Sequence, residues 1–258
     1  MLVDNTDWHI EESEMSGLAR RLCSKDTGYG LDGFIAVIPA DEPDCDFRML
    51  FYNSDGSMGE MCGNGARCVA RFAYERGIAK NPDNIRFRTT AGIVTGRRIA
   101  EELYEVRLND PSIADMHRNV CIDGRDYDCA YVELGKPGIP HAIVEMPLED
   151  IEASDSLREL GRKLRYSPEF PKGANVTFFS FTDSDRVKAI TFERGVEDFT
   201  LACGTGCGST AVSLAMRDRL PGNRLNINMP GGELSVRFSR GGDIISNILL
   251  TGPTAYMD

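Results

Sequence analysis

Two cysteines, Cys62 and Cys203, have the surroundings that best suit chemistry. Each begins a Cys-Gly-x-Gly segment that follows an alternating strand pattern and precedes an apolar helical pattern. A cysteine at such a strand-to-helix junction faces unpaired backbone N–H groups and the positive end of the helix dipole, which lower a thiol pKa from ~8.5 to as little as ~3.5–7.5. The sequence therefore predicts a reactive thiol at the start of each of two helices.

The glycines of these segments indicate the kind of substrate. They allow a tight bend and leave N–H groups able to point at an anion, so a carboxylate bound at both helix starts would lie between two thiols. Inversion of an amino-acid stereocentre suits this arrangement, because one thiolate removes the α-proton and the opposite thiol delivers a new one. The helix ends would stabilise the charge that grows on the carboxylate. We expect no cofactor, since the sequence contains no phosphate-binding glycine motif.

Other interpretations of the cysteines remain open. A zinc site could collect the two segment cysteines with Cys68 and Cys207, but the spacings are unusual and no histidine lies near, so we expect no metal. A dithiol redox centre is disfavoured because no Cys-x-x-Cys occurs. A non-catalytic carboxylate-binding protein would need the glycines but not two thiols. Burial as small apolar residues is the interpretation that we favour for Cys23, Cys45, Cys68, Cys121, Cys129 and Cys207.

The two segments belong to an internal repeat. Cys62 and Cys203 are 141 positions apart, and the hairpin glycines Gly92 and Gly232 are 140 apart. Order and spacing are both kept, which predicts two domains of similar topology rather than a chance likeness of strand–turn–helix units. The helical patterns behind both cysteines are apolar on more than one face, as is typical of a helix wrapped by a sheet.

The repeat sets the expected domain boundaries. We predict a first domain at residues 1–112, a second at 113–245, and a C-terminal segment at 246–258 that returns toward the first. The strand at 130–134, which opens the second domain, maps in front of Met1, so the first domain lacks its opening strand and loop. We favour a start site assigned too late, because a missing strand leaves its neighbour as an exposed edge.

Composition and charge exclude several classes of function. The 258 residues carry 29 Lys and Arg against 40 Asp and Glu, a net charge of −11, which argues against nucleic acid or an anionic membrane as a partner. No apolar run approaches the roughly 18 residues of a membrane span, and the first residues do not resemble a signal peptide. We therefore expect a cytoplasmic protein with reduced thiols.

At the cysteine segments the sequence resembles a known family, the diaminopimelate epimerases. Residues 53–57 and 60–68 are similar to the first cysteine signature of that family, and residues 193–195 and 202–206 are similar to the second. The resemblance implies an α+β fold of two pseudo-symmetric domains, each a mixed β-sheet wrapped around a central helix, with the active site between them. It also implies a homodimer that converts LL-diaminopimelate, a small amino-acid substrate, to the meso form without a cofactor.

The resemblance also assigns roles to individual residues. Cys62 and Cys203 would be the acid–base pair, and Glu193 and His141 would lie beside the thiols and orient or tune them. Backbone N–H groups would hold the reacting carboxylate at Gly63, Asn64, Gly204 and Thr205. Side chains would hold the far end of the substrate at Asn53, Asn175 and Arg194. The arginine would do so by pairing with the distal carboxylate.

Three departures from the family pattern bear on the substrate. The family's opening Gly-Asn-Asp-Phe loop is absent. Its Gly-Asn-Pro-His segment appears as residues 138–141 with Ile139 in place of the asparagine, and isoleucine has no side-chain donor or acceptor for a distal charged group. The loop at 195–202 is one residue longer and contains Phe199. A racemase for another amino acid, such as histidine, is therefore the alternative on the same fold.

Overall fold

The chain divides into two compact units. The computed structural model describes residues 1–59 and 62–256. Unit 1 runs from Met1 to Val106 and takes in the C-terminal residues from Thr254 onward, and unit 2 runs from Arg107 to Pro253. Glu60 and Met61 of the first cysteine signature lie outside the described residues, as do the last two residues of the predicted C-terminal segment.

Unit 1 is built on a mixed sheet with strand order β1-β2-β3-β4-β5-β6. The strands are β1 (Leu2–Asp4), β2 (Gly33–Pro39), β3 (Phe47–Asn53), β4 (Ile85–Thr89), β5 (Gly92–Arg98) and β6 (Leu103–Arg107). Strand β1 is parallel to β2 and β3 is parallel to β4, while the other neighbours are antiparallel. The helices are α1 (Asn5–Trp8), α2 (Glu12–Cys23) and α3 (Gly63–Glu75).

Helix α3 follows the first cysteine and packs against the sheet of unit 1. Its apolar positions Ala66, Val69, Ala70 and Ala73 are fully buried, and the helix contacts β2 and β5. It ends where Gly77 takes a φ of +71°, because a left-handed residue turns the chain away and closes the last carbonyls of the helix. Gly77 therefore terminates α3.

Unit 2 has the larger sheet, with order β15-β14-β13-β11-β10-β9-β8-β7 and β12 paired to β11. Its first strands are β7 (Pro111–Ile122), β8 (Arg125–Leu134), β9 (Ile139–Glu145), β10 (Asn175–Asp183) and β11 (Arg186–Glu193). The remaining strands are β12 (Asp198–Thr200), β13 (Arg224–Met229), β14 (Gly232–Gly241) and β15 (Ile244–Pro253). The helices are α4 (Leu148–Glu152), α5 (Asp155–Arg165) and α6 (Gly204–Met216).

Helix α6 is the central helix of unit 2. It is buried along almost its whole length and contacts strands from β7 to β10 and from β13 to β15. The small residues of its first turns allow this enclosure: a Cβ on Gly208 would lie 2.8 Å from the Leu108 side chain. A helix that is apolar on all sides is stable only when it is surrounded in this way.

The two units share one topology. The run β1, β2, β3, α3, β4, β5, β6 in unit 1 corresponds to β9, β10, β11, α6, β13, β14, β15 in unit 2, with the same parallel and antiparallel neighbours. The predicted α+β fold, with a mixed sheet and a central helix in each half, is confirmed. Within the described residues unit 1 has no counterpart of β8, which pairs with β9 in unit 2.

Candidate active site

Cys62 occupies the N-cap position of α3. Its backbone is extended, with φ −123° and ψ 110°, and its Sγ accepts a hydrogen bond from the Gly65 N–H at 3.3 Å. An extended N-cap residue turns its side chain back over the first helical turn, where the unpaired N–H groups lie. The half-buried sulfur therefore lies at the positive end of α3.

Cys203 occupies the same position at the start of α6. Its angles, φ −125° and ψ 105°, are nearly those of Cys62. The side chain is only 4% exposed, and its Sγ lies 3.6 Å from the Thr205 hydroxyl oxygen. Each unit thus presents one thiol at the first turn of its central helix, with Gly63 and Asn64 or Gly204 and Thr205 directly after it.

The third residue of each helix is a glycine that its neighbours pack closely. A Cβ on Gly206 would lie 2.9 Å from the Thr177 hydroxyl oxygen and 3.3 Å from the Cys203 Sγ. A Cβ on Gly65 would lie 2.6 Å from the Ile35 Cδ1, while the sulfur of the preceding cysteine would stand at 3.4 Å, an ordinary contact distance. The shorter contacts would force neighbouring atoms to move, so both positions favour a residue without a side chain.

The Gly206→Ala substitution is expected to damage both stability and turnover. The new methyl group would push into the buried hydrogen bond between the Thr177 and Thr191 hydroxyls, 3.0 Å long, so we expect a loss of about 1–3 kcal/mol in unfolding free energy. Displacement of the Cys203 thiol should lower turnover roughly 10-fold. Urea unfolding and steady-state rates measure the two effects. Gly222→Ala is the matched control, since nothing lies within 4 Å of its added Cβ, and equal behaviour of the two variants would contradict the argument.

The Cys203 thiol is protonated in the substrate-free chain. Burial raises its pKa well above the ordinary value and the Glu193 carboxylate raises it further, while the Thr205 hydroxyl and the Gly206 N–H act in the opposite direction. The lowered pKa expected from the helix start is wrong for this thiol. A helix dipole contributes only about 0.3–1 kcal/mol, or ~2 in favourable geometry, and burial of a thiolate away from water costs more. Cys203 is therefore poised to give a proton.

His141 lies on β9 with its side chain fully buried. Its Nε2 is 2.9 Å from the Thr205 hydroxyl oxygen and 3.5 Å from the Asn175 Nδ2. Burial lowers the pKa of His141 to about 3, and the positive charge of Arg194 acts in the same direction. The imidazole is therefore neutral at physiological pH, and it meets the thiol through Thr205.

The depressed pKa of His141 predicts an acid-sensitive fold. In the unfolded chain histidine takes up a proton near pH 6.5, whereas in the folded chain it does so only near pH 3. Stability contributed by this group is therefore complete above pH 6.5 and is lost as the pH falls toward 3. Between pH 7 and pH 5 we expect the native protein to lose about 2 kcal/mol more than the His141→Gln variant. Urea unfolding of both proteins at both pH values tests this. The carboxylates titrate alike in the two proteins, so their contribution cancels when the two losses are subtracted. Equal losses of stability would contradict the prediction.

Asn175 connects Arg194 to the β9 strand. Its Oδ1 accepts the Arg194 backbone N–H at 2.8 Å and its Nδ2 donates to the Pro140 carbonyl at 3.2 Å. The Arg194 guanidinium donates to the Lys172 carbonyl at 3.3 Å, and the residue is exposed. These contacts make Asn175 a support for Arg194, and direct contact of either side chain with a substrate remains a prediction.

An ion pair between a buried carboxylate and an exposed lysine, beside Arg194, was not predicted from the sequence. The Glu133 side chain is 3% exposed and accepts hydrogen bonds from the Tyr131 hydroxyl at 2.6 Å and from the Lys172 ammonium at 3.0 and 3.1 Å. Because Lys172 also offers its carbonyl to Arg194, the pair holds the chain segment on which the arginine rests. The available signal was a glutamate inside the apolar strand 130–134.

In unit 1 the predicted polar contacts have partners within the chain. The Asn53 side chain, at the end of β3, donates to the Ser57 hydroxyl at 3.0 Å, and the Asn64 side-chain Oδ1 accepts from the Arg67 guanidinium at 3.1 Å. Asn64 and Gly63 lie at the start of α3 beside Cys62. Contact of Asn53 or of the two N–H groups with a substrate remains a prediction.

The longer loop has a structural role. Phe199 lies on β12, where it pairs with Phe192 of β11, and its ring packs edge-on against Phe192 and Phe178 with centroids 5.8 and 6.4 Å apart. The side chain thus packs against the core of unit 2. Ile139 begins β9 opposite Leu134.

The remaining cysteines differ in exposure. The expected burial is confirmed for Cys23, Cys129 and Cys207, while Cys45 and Cys68 are half-buried. It is wrong for Cys121, which is exposed on the edge strand β7.

Among the described residues no group of three or more His, Cys, Asp or Glu side chains is arranged to hold a metal ion. In the same part of the chain no helix combines the length and apolar character needed to cross a membrane.

Comparison with known proteins identifies a family to which the chain is similar. A family model described as diaminopimelate epimerase matches residues 1–107 and 136–256. A diaminopimelate epimerase from Aquifex aeolicus is 39% identical over 241 residues, which are 90% of this chain and 80% of the relative. A diaminopimelate epimerase from Flavobacterium psychrophilum is 32% identical over 258 residues, covering 100% of this chain and 93% of the relative.

Solved structures share the fold at low sequence identity. A phenazine biosynthesis protein from Bacillus anthracis superposes with a TM-score of 0.73 at 14% identity, covering 98% of this chain and 89% of that one. A probable proline racemase from Agrobacterium radiobacter gives 0.67 at 20% identity, covering 95% and 80%. At these identities the likeness bears on the fold alone.

Proposed function

The chain belongs to the diaminopimelate epimerase family, and from that premise we propose that it inverts one α-carbon of LL-diaminopimelate to give the meso form. One observation carries the proposal. Cys62 and Cys203 begin the central helices of the two units with nearly the same backbone angles. A protein that only bound carboxylates would need the N–H groups of the helix starts and no thiol at either.

Substrate binding begins with the reacting carboxylate. We propose that N–H groups at the first turns of α3 and α6, from Gly63, Asn64, Gly204 and Thr205, donate to its oxygens. Such N–H groups are fixed in direction before the substrate arrives. They therefore stabilise the negative charge that moves onto the carboxylate when the α-carbon loses its proton.

The proton transfer uses one thiolate and one thiol. In one direction the Cys62 thiolate takes the α-proton: the Cα–H bond breaks, an S–H bond forms, and the electron pair spreads over the carboxylate. Cys203, held as a thiol by burial, gives its proton to the opposite face of the carbon and becomes the thiolate. The reverse direction exchanges the two roles, so the protein needs no external acid or base.

Substrate selection would fall to Arg194. The distal end of diaminopimelate carries a second carboxylate, and a guanidinium can form two parallel hydrogen bonds to it. The Asn175 and Lys172 contacts hold the backbone and side chain of this arginine in place. Glu193 would then tune the Cys203 thiol, because the charge of its carboxylate raises the pKa of that thiol.

A cytoplasmic homodimer is the assembly that we propose. The family resemblance supports the dimer. The net charge of −11 fits a protein whose partners are small amino acids rather than polyanions. Size-exclusion chromatography with light scattering would distinguish a dimer from a monomer of 28.5 kDa.

A racemase for another amino acid is the second candidate. Ile139 favours it, because this residue at the start of β9 cannot hydrogen-bond a distal ammonium or carboxylate through its side chain. A site with fewer distal partners would accept substrates without a second charged end.

Deuterium wash-in from D2O separates these candidates. The purified protein is incubated with a panel that includes LL-diaminopimelate and histidine, and Cα–H exchange is followed by NMR with chiral analysis of the products. We expect exchange and inversion with diaminopimelate at least about 10-fold faster than with any other member, from one charged distal contact. Faster exchange of histidine would establish the alternative, and no exchange with any amino acid would contradict the enzymatic function.

A further inference from the structure

The Thr205 hydroxyl lies between a histidine and the Cys203 sulfur. Its Oγ1 is 2.9 Å from the His141 Nε2 and 3.6 Å from the Cys203 Sγ. The family resemblance assigned Thr205 a backbone role only. The three groups come from the start of α6 and from β9, within one unit.

The direction of the hydrogen bonds depends on which nitrogen of His141 carries the proton. The Nδ1 atom is buried and has no hydrogen-bond partner among the described residues. A buried donor without a partner is rarer than an acceptor that is left unused, so the proton belongs on Nε2. The Nε2–H then donates to the Thr205 oxygen at 2.9 Å, which is an ordinary length for this bond.

The neighbouring amide is compatible with this tautomer. Asn175 is fixed in orientation because its Oδ1 accepts from the Arg194 N–H and its Nδ2 donates to the Pro140 carbonyl. Its Nδ2 stands 3.5 Å from the His141 Nε2, at the outer limit for a hydrogen bond. Because the Thr205 hydroxyl can donate or accept, its contact fits either tautomer, and the buried Nδ1 without a partner decides between them.

We propose that Thr205 is a positioning residue that links His141 to Cys203: its oxygen accepts the His141 Nε2–H, and its own hydroxyl proton is donated to the Cys203 sulfur when that becomes a thiolate. The link extends the proposed function and rests on it for its catalytic meaning. With the opposite tautomer the Thr205 proton would be directed to the histidine and could not reach the sulfur. The histidine thus acts through the orientation of one hydroxyl group.

No net proton moves along this link. When Cys203 gives its proton to the substrate carbon, the S–H bond breaks, the new Cα–H bond forms and the electron pair stays on sulfur. The Thr205 hydroxyl then rotates toward that charge and keeps its proton, while His141 keeps the proton on Nε2. The link therefore stabilises the thiolate form.

The charges around the thiol make such a donor important. Glu193 and Cys207 both act to raise the pKa of Cys203, and the Gly206 N–H acts with Thr205 to lower it. Arg194 is the charged neighbour that affects His141. A thiolate buried beside a carboxylate therefore depends on the few donors that reach it.

Two substitutions at Thr205 separate the hydroxyl from the rest of the residue. Thr205→Val keeps the shape and the backbone N–H but removes the hydroxyl, whereas Thr205→Ser keeps the hydroxyl. Loss of one hydrogen bond to a charged group should raise the pKa of the Cys203 thiol by about 1–2 units and lower turnover about 10- to 100-fold. The serine variant should keep the pKa of Cys203 and the turnover close to those of the native protein. The matched control is Thr182→Val, at an exposed threonine.

The thiol and the tautomer are each measured directly in the intact protein. Titration of 13Cβ-labelled cysteine by NMR gives the pKa of Cys203, and 15N spectra of the three histidines, assigned with the His141→Gln variant, give the tautomer. We expect a protonated Nε2 and an unprotonated Nδ1 in His141. A protonated Nδ1, an unchanged Cys203 titration in Thr205→Val, or a serine variant as impaired as the valine variant would overturn the proposal.

These readouts are independent of the proposed function. If the native protein exchanges no amino acid with D2O while the NMR results follow expectation, the link exists and the assigned reaction is wrong. If the native protein exchanges the α-proton of diaminopimelate with D2O but the Cys203 titration in Thr205→Val matches that of the native protein, the reaction is supported and the link is wrong.

Discussion

Serine in place of Cys62 or Cys203 should lower the rate of epimerisation by about 10²–10⁴-fold. A hydroxyl is a far weaker acid than a thiol, so at neutral pH it supplies neither the base nor an acid of matched strength. Because inversion needs both groups in each turnover, either single substitution should be as damaging as the double substitution. Steady-state inversion of LL-diaminopimelate, followed by chiral analysis, gives the rates.

Two other cysteines provide matched controls for this experiment. Cys68 lies later on α3 and Cys121 lies exposed on β7, and serine at either should leave turnover within about twofold of the native protein. Circular dichroism checks that each variant folds. Near-native turnover of Cys62→Ser or Cys203→Ser would show that the two-thiol mechanism is wrong.

Arg194→Met should raise the KM for diaminopimelate about 10- to 100-fold and change kcat far less. The distal carboxylate would lose a charge-assisted pair, and hydrogen bonds to charged groups contribute about 1.5–3 kcal/mol each. Because this end of the substrate does not react, most of the loss should appear in binding. Initial rates over a range of substrate concentrations separate KM from kcat.

Arg186→Met is the control for the arginine. Arg186 begins β11, whereas Arg194 follows the end of the same strand, so the control removes a like charge about 25 Å away along the strand. It should leave KM unchanged. An unchanged KM in Arg194→Met, or equal changes of KM in the two variants, would show that Arg194 does not bind the substrate.

The sequence predicted the features that depend on local pattern and repetition. The Cys62 and Cys203 segments lie at helix starts with glycines under the sulfur atoms, as the spacing indicated. The 141-residue offset led to two copies of one topology, which the strand orders confirm. Such features are accessible because they rest on the identity of neighbouring residues and not on distant pairing.

Features that depend on strand register were not predicted. Glu133 meets Lys172 across 39 positions, and Asn175 reaches Pro140 and Arg194 at separations of 35 and 19. A one-residue change of register would move the side chains of Glu133 and Asn175, which lie on strands, to the opposite face of the sheet. The pairing of neighbouring strands therefore decides which polar groups meet.

The charge state of Cys203 was wrongly expected for a different reason. The helix start is a local feature, and the sequence shows it. Enclosure of the sulfur by the surrounding strands, which raises its pKa, is a property of the whole unit. The residue types at a helix start thus predict that the helix lowers the pKa of a thiol, but they do not show whether burial raises that pKa by more.

The central claim is transfer between two thiols, and isotope labelling of both amino-acid pools tests it most directly. LL-diaminopimelate is converted in D2O, and the first turnovers are analysed by mass spectrometry after chiral separation. Two thiols predict that the meso product carries one solvent deuteron from the start, while the recovered LL substrate keeps its original proton. A product that retains the substrate's own proton, or equal labelling of both pools from the first turnover, would show that a single group moves the proton and would contradict the two-cysteine mechanism.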